Sequence, residues 1–193
     1  IVDACLERNP KMLITGVTAT PLRSDKKSLR RYFNNVAHQI TIRELVALGF
    51  LVTPRAFVVD LGVQNRLDKL QNQSAFGEQA GVADVLNTIP INQEIVKHWK
   101  EKANDRQTVA FCSTISHAEA VANTFKENGI PAAIVHGNLS DGERRKILQD
   151  FDRGYIRVIT NVGVLVEGWD CQPVSCVILL RLCSDKSPMV QMI

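Results

Sequence analysis

Short apolar runs rich in β-branched residues alternate with helix-length amphipathic stretches through the second half of this chain. That alternation constrains the fold more than any other feature. Thr108-Val109-Ala110-Phe111-Cys112, Ala132 to Val135, Ile156 to Thr160 and Cys176 to Leu180 read as strands. Between them, Ser116-His117-Ala118-Glu119 and Ser140-Asp141-Gly142-Glu143 match the capping-box pattern. The first opens a helix ending at Gly129 and the second a helix to about Asp152. Ile91 to Ala103 reads as a further helix with Ile95, Val96 and Trp99 on one face. Strands alternating with helices imply a parallel sheet with right-handed crossovers. Their apolar continuity implies burial on both faces. The pattern predicts a doubly wound α/β fold.

The first half is less regular. Ala4 to Arg8 has helical character, and Met12-Leu13-Ile14-Thr15 reads as a short strand. Thr41-Ile42-Arg43-Glu44 is another capping box, opening a helix to about Leu48 with Gly49 as its stop. After Pro54, Ala56-Phe57-Val58-Val59 is expected to be a strand. Gly62 to Thr88 is polar, with a helical tendency and few apolar periods. At the far end, Ser187 and Pro188 are suited to cap and begin a helix over the last residues. The chain starts at Ile1 and stops inside that helix, so both ends read as cut from a longer protein.

Composition excludes more than it assigns. A length of 193 residues with 45% hydrophobic content suits one domain, or one and part of another. The net charge of +3 is too small to argue for nucleic acid by itself. Its distribution is more informative: Arg23, Lys26, Lys27, Arg30 and Arg31 stand against a single Asp25, a local excess of +4. Such a cluster can track a phosphate backbone or be a solvated helix face. Cys5, Cys112, Cys171, Cys176 and Cys183 form no Cys-x-x-Cys pair and no zinc-finger spacing, so no metal is expected. An odd cysteine count without a framework suits a reducing compartment. No apolar stretch has membrane-spanning length, so no membrane partner is expected.

Residues 155–170 hold the richest candidate chemistry. If the strand ends at Thr160, its hydroxyl stands at the carboxyl edge of the sheet, where open α/β sheets bind ligands. Gly168 lets the backbone turn tightly, and Asp170 can accept hydrogen bonds from a ribose. An ordinary strand-to-strand connection, with Asp170 as a turn carboxylate, is the plain alternative. Ser113 and Thr114 follow another strand onto the same edge, where hydroxyls and helix amides are ready phosphate ligands. As mere helix-start residues they would look the same. His136-Gly137 ends a third strand there, as a backbone-phosphate contact or a structural histidine. Trp169 can pack into the core or stack on a base.

Several chemistries fail on spacing. Gly163 to Gly168 has the glycine spacing of a phosphate loop, but Trp169 stands where lysine belongs. No Gly-x-Gly-x-x-Gly is present. A triad of Ser113, His117 and an Asp lacks the Gly-x-Ser-x-Gly elbow.

Gly16-Val17-Thr18-Ala19-Thr20-Pro21 resembles the Thr-Ala-Thr motif of superfamily 2 helicases. Residues 155–170 resemble that family's fifth motif, and His136-Gly137-Asn138-Leu139-Ser140 with Glu143-Arg144 resembles the segment before it. The closest flavour is the DNA-directed branch that includes type III restriction subunits and phage or repair helicases. The resemblance implies a RecA-like second helicase domain, preceded by the last strand of the first. Residues 1–21 would end the first RecA-like domain, 22–53 would link, and 54–193 would form the truncated second domain.

It further implies nucleotide contacts from Gly168 and Asp170. Nucleic-acid contacts would come from Ser113, Thr114, His136, Gly137, Thr160 and Asn161, and coupling from Thr18, Ala19 and Thr20. Gln191 would begin the catalytic motif that carries the arginine finger. The family's phosphate loop and acidic magnesium motif precede Thr18, so ATP and Mg are expected in the intact parent and none bound to this piece. The implied activity is that of an ATP-dependent helicase or translocase, with this piece inactive alone. The implied partners are DNA, with RNA not excluded, and the N-terminal RecA-like domain of the same parent. The expected setting is the cytoplasm of a bacterial or phage-infected cell. A non-catalytic RecA-like module that binds nucleic acid or a partner is the competing reading. A nucleotide-sugar-binding α/β domain is a third, which leaves Thr18-Ala19-Thr20 and the Gln191 helix unexplained.

Overall fold

The computed structural model describes residues 2–18, 32–71, 78–165 and 169–181. The chain divides into two compact units, Ile1–Phe57 and Val58–Ile193. In the first, helix α1 spans Val2–Arg8 and α2 spans Ile42–Ala47. Thr41 caps α2 as a complete capping box: its hydroxyl accepts from the Glu44 amide, and the Glu44 carboxylate accepts from the Thr41 amide. Leu48 is the C-cap, and Gly49 follows with φ of +79°, a conformation that glycine reaches without strain. At Gly16 a Cβ would lie 2.5 Å from the Phe33 ring, so any larger residue there requires that ring to move.

Two expected strands do not form. Met12 to Thr15 and Ala56 to Val59 are irregular, and Leu13, Phe57 and Val58 are exposed. Strand propensity is realised by pairing and by cover on one face. Among the described residues neither segment has a ladder partner.

The second unit holds α3 (Gln64–Gln71), α4 (Glu78–Leu86) and α5 (Ile89–Lys102), then β1 (Thr108–Cys112), α6 (Ile115–Glu127), β2 (Ala132–His136), α7 (Asp141–Asp152), β3 (Val158–Val162) and β4 (Cys176–Leu180). The polar segment before Thr88 is thus helical where described, and α4 buries Val82, Ala83, Val85 and Leu86. The strands form one parallel sheet in the order β2-β3-β1-β4.

Side chains alternate strictly across this sheet. On one face Cys112, Ala132, Val158 and Leu180 pack with Ile95, Val96 and Trp99 of α5 and with Val121 and Phe125 of α6. Trp99 stands edge-on to Phe125 with ring centres 5.5 Å apart, and its indole N–H donates to the Thr108 hydroxyl. On the other face Val109, Phe111, Val135 and Ile159 pack with Ile147, Leu148 and Phe151 of α7 and with Val164, Leu165 and Trp169. Helices on both faces of a parallel sheet make the fold the doubly wound α/β type expected from the pattern.

Two boundaries that bear on the site differ from expectation. The N-cap of α6 is Thr114, whose hydroxyl accepts from the His117 amide, so Ser116 lies inside the helix rather than at its start. Strand β3 begins and ends two residues later than its β-branched run suggests. Its register is set by β1 and β2, with Thr160 opposite both Ala110 and Ile134.

Candidate nucleotide and nucleic-acid edge

The carboxyl ends of β1, β2 and β3 bring Ser113 with Thr114, His136 with Gly137, and the turn after Val162 to one edge of the sheet. Gly163 there has φ of +64°. Thr114 is partly exposed and stands at the N-terminus of α6, where unpaired amides and the helix dipole favour an anion. Gly137 is exposed and His136 half-buried. The Asn138 amide donates to His136 Nδ1 at 3.3 Å. A ring nitrogen that accepts carries no proton, so neutral His136 keeps its proton on Nε2 as a donor.

Other candidates lie behind this edge. Ser113 is buried, and its hydroxyl donates to the Leu180 carbonyl at 2.9 Å, tying β1 to β4. Thr160 has no exposed surface, and its hydroxyl donates to the Ala118 carbonyl at 2.9 Å, joining β3 to α6. The displaced strand boundary is the reason: Thr160 is a mid-strand residue rather than the last one. Asn161 is equally enclosed and donates from Nδ2 to the Ala110 carbonyl at 3.2 Å, while its Oδ1 has no partner.

His117 lies on the first turn of α6. It is fully buried with neither ring nitrogen hydrogen-bonded, and burial pushes its pKa down to about 4. Its burial on α6 follows helical periodicity with Ala118, Val121 and Phe125. Its lack of a partner could be found only in three dimensions.

Asp170 is exposed, and each of its chain neighbours is anchored. The Trp169 ring lies 6.4 Å from that of Phe151, so Trp169 packs against the core. The Cys171 thiol lies 3.8 Å from the Asp152 carboxylate, and burial followed by that carboxylate pushes its pKa up. It is therefore a protonated donor at neutral pH. Cys112 is enclosed in β1, where burial raises its pKa to about 12, so it acts as a small core residue.

Ala19, Thr20, Gly168 and Gln191 lie outside the described residues, as does the basic cluster between Arg23 and Arg31. Thr18 is exposed in the first unit. Among the described residues, no group of three or more His, Cys, Asp or Glu side chains is placed to hold a metal, and no helix is long and apolar enough to cross a membrane.

A parallel sheet with polar side chains and a helix N-terminus gathered at its carboxyl edge is the open α/β class, whose ligand sites lie at that edge. Residues 88–193, more than half of the chain, match the helicase conserved C-terminal domain. The chain belongs to that family, and its parallel sheet carries helices on both faces.

The chain is similar to a Saccharomyces cerevisiae protein named as an ATP-dependent helicase, IRC3, with 27% identity over 95% of this chain and 27% of that protein. It is also similar to a Schizosaccharomyces pombe protein named as a mitochondrial ATP-dependent helicase, irc3, with 29% identity over 95% of this chain and 30% of that protein. The chain thus spans less than a third of the length of these relatives. Among solved structures, the Pyrococcus furiosus Hef helicase domain is 24% identical, covering 52% of this chain and 20% of that one at a TM-score of 0.43.

Proposed function

We propose that this chain supplies the second RecA-like half of an ATP-dependent helicase or translocase acting on DNA. The family match over residues 88–193 carries the proposal, and the polar carboxyl edge supports it. Asp170 would accept hydrogen bonds from the ribose, with Gly168 allowing the turn before it. Bound ATP with Mg supplies the energy of phosphoryl transfer. No phosphate loop occurs in these 193 residues, so groups elsewhere in a longer protein would hold the triphosphate and the metal.

The exposed Thr114 and Gly137 and the His136 imidazole would take backbone phosphates, a contact that carries no sequence information and suits a motor. Ser113, Thr160 and Asn161 would hold that edge in shape from behind. Thr18-Ala19-Thr20 would couple the two halves, and Gln191 would open the motif that carries the arginine finger. Closure on nucleotide would grip the strand, and hydrolysis would release it. Two of the relatives are fungal and one of these is named as mitochondrial, which supports an organellar setting.

The test is ATP hydrolysis by the full-length protein and by this chain alone, each with single-stranded DNA, with single-stranded RNA and with neither. The expected result is hydrolysis by the full-length protein only, accelerated more by DNA. Greater acceleration by RNA would reassign the substrate. No hydrolysis by either would sink the motor reading in favour of a non-catalytic binding module.

A further inference from the structure

Asp170 is exposed, yet it does not sit on a free loop. Its preceding neighbour Trp169 packs against Phe151, and its following neighbour Cys171 approaches the Asp152 carboxylate at 3.8 Å. Phe151 and Asp152 are the last two residues of α7. One helix end therefore holds the backbone on both sides of a single exposed carboxylate.

The composition of that helix end points the same way. The last turn of α7 carries Asp150 and Asp152 and no basic residue. Negative charge near a helix C-terminus opposes the helix dipole and costs stability, so Asp152 is poorly placed as a helix residue and well placed as an acceptor for the thiol. Phe151 has no exposed surface and belongs to the core shared with Ile147, Leu148, Val164 and Leu165, which makes the anchor rigid. At its other end α7 starts from the Ser140 capping box, four residues after His136.

We propose that the C-terminal turn of α7 is a clamp that fixes Asp170 for the ribose, with Trp169 and Phe151 as its main positioning residues and Cys171 and Asp152 as a weaker second fastening. The clamp rests on the reading of Asp170 as a nucleotide contact. The aromatic pair supplies most of the restraint, because a thiol is a weak donor.

The experiment compares the full-length protein with its Trp169→Ala, Trp169→Phe and Asp152→Ala variants. It reads backbone amide exchange and affinity for a fluorescent ADP analogue with Mg. Trp169→Ala is expected to speed exchange at Asp170 and Cys171 by about tenfold while β1 and α6 keep theirs. It should weaken the ADP analogue by about fivefold and leave single-stranded DNA affinity unmoved. Trp169→Phe should restore both readings. Asp152→Ala, which leaves the aromatic pair in place, should weaken the analogue by about twofold.

Unchanged exchange in Trp169→Ala, or faster exchange with unchanged ADP affinity, overturns the clamp. Loss of ADP and DNA affinity together, not restored by Trp169→Phe, overturns it as a merely structural effect. Failure of the unsubstituted protein to bind the analogue overturns the nucleotide reading itself. That result is distinct because it precedes any substitution.

Discussion

His117 occupies the first turn of α6 with no exposed surface and no hydrogen-bond partner for either ring nitrogen. Burial holds the folded-state pKa near 4, against 6.5 for an accessible imidazole. Between those values the unfolded chain binds the extra proton, so stability falls as the pH drops from 6.5 towards 4 and is fully present above that window. The cost at pH 5 is about 2 kcal/mol relative to pH 7. His117→Leu is expected to remove that part of the dependence, as read by urea unfolding at pH 7 and pH 5. An equal pH loss in both proteins would show that the titrating group lies elsewhere. Thr160 yields a second expectation. Its hydroxyl is committed to the Ala118 carbonyl, so Thr160→Val should cost about 1 kcal/mol of stability. DNA affinity should stay unchanged, and a selective loss of binding would restore Thr160 to the contact surface. The sequence alone placed Thr160 at the edge because a β-branched run does not show where pairing ends. Asp170, by contrast, was legible as a polar residue after a strand and a glycine.

At the scale of elements, signals confined to a few neighbouring residues were readable and those decided by distant partners were not. The capping boxes at Thr41 and Ser140 stand as their patterns predict, since both of their hydrogen bonds close within four residues. The Ser116 pattern looks equivalent, but β1 ends at Cys112 and the chain turns into the helix at Thr114, two residues earlier. Strands β1 and β4 have the bounds their apolar runs suggest, whereas β3 is shifted by its neighbours' register. Met12 to Thr15 and Ala56 to Val59 have strand composition and no ladder, because composition cannot supply a partner. The Ser140 cap gives an element-scale prediction. Ser140→Ala should cost about 1 kcal/mol in chemical unfolding. It should also speed amide exchange in the first turn of α7 while leaving α6 unchanged. A neutral substitution would mean that the Glu143 carboxylate holds the Ser140 amide well enough without the hydroxyl.

For the molecule as a whole, the electrostatic question is how a chain of net charge +3 would engage the proposed polyanion. Uniformly spread, that charge is too weak to gather a strand, so affinity must come from local concentrations of positive groups. At the carboxyl edge the proposed contacts are the Thr114 hydroxyl, an imidazole and helix amides, which would serve to position phosphates. The counterion-releasing contribution is therefore expected from the cluster of Arg23, Lys26, Lys27, Arg30 and Arg31, known from the sequence and lying outside the described residues. Each neutralised phosphate on a single strand contributes about 0.7 to the slope of log affinity against log salt. Replacing Lys26, Lys27 and Arg30 together by alanine in the full-length protein should lower that slope by about 2 if each holds a phosphate. The loss of affinity should then be large at low salt and small at high salt. His136→Ala removes one edge contact and leaves the cluster intact, so it should leave most of that slope in place. If the triple variant keeps the slope, the cluster is a solvated surface, and the strand must find its cations in another part of the protein.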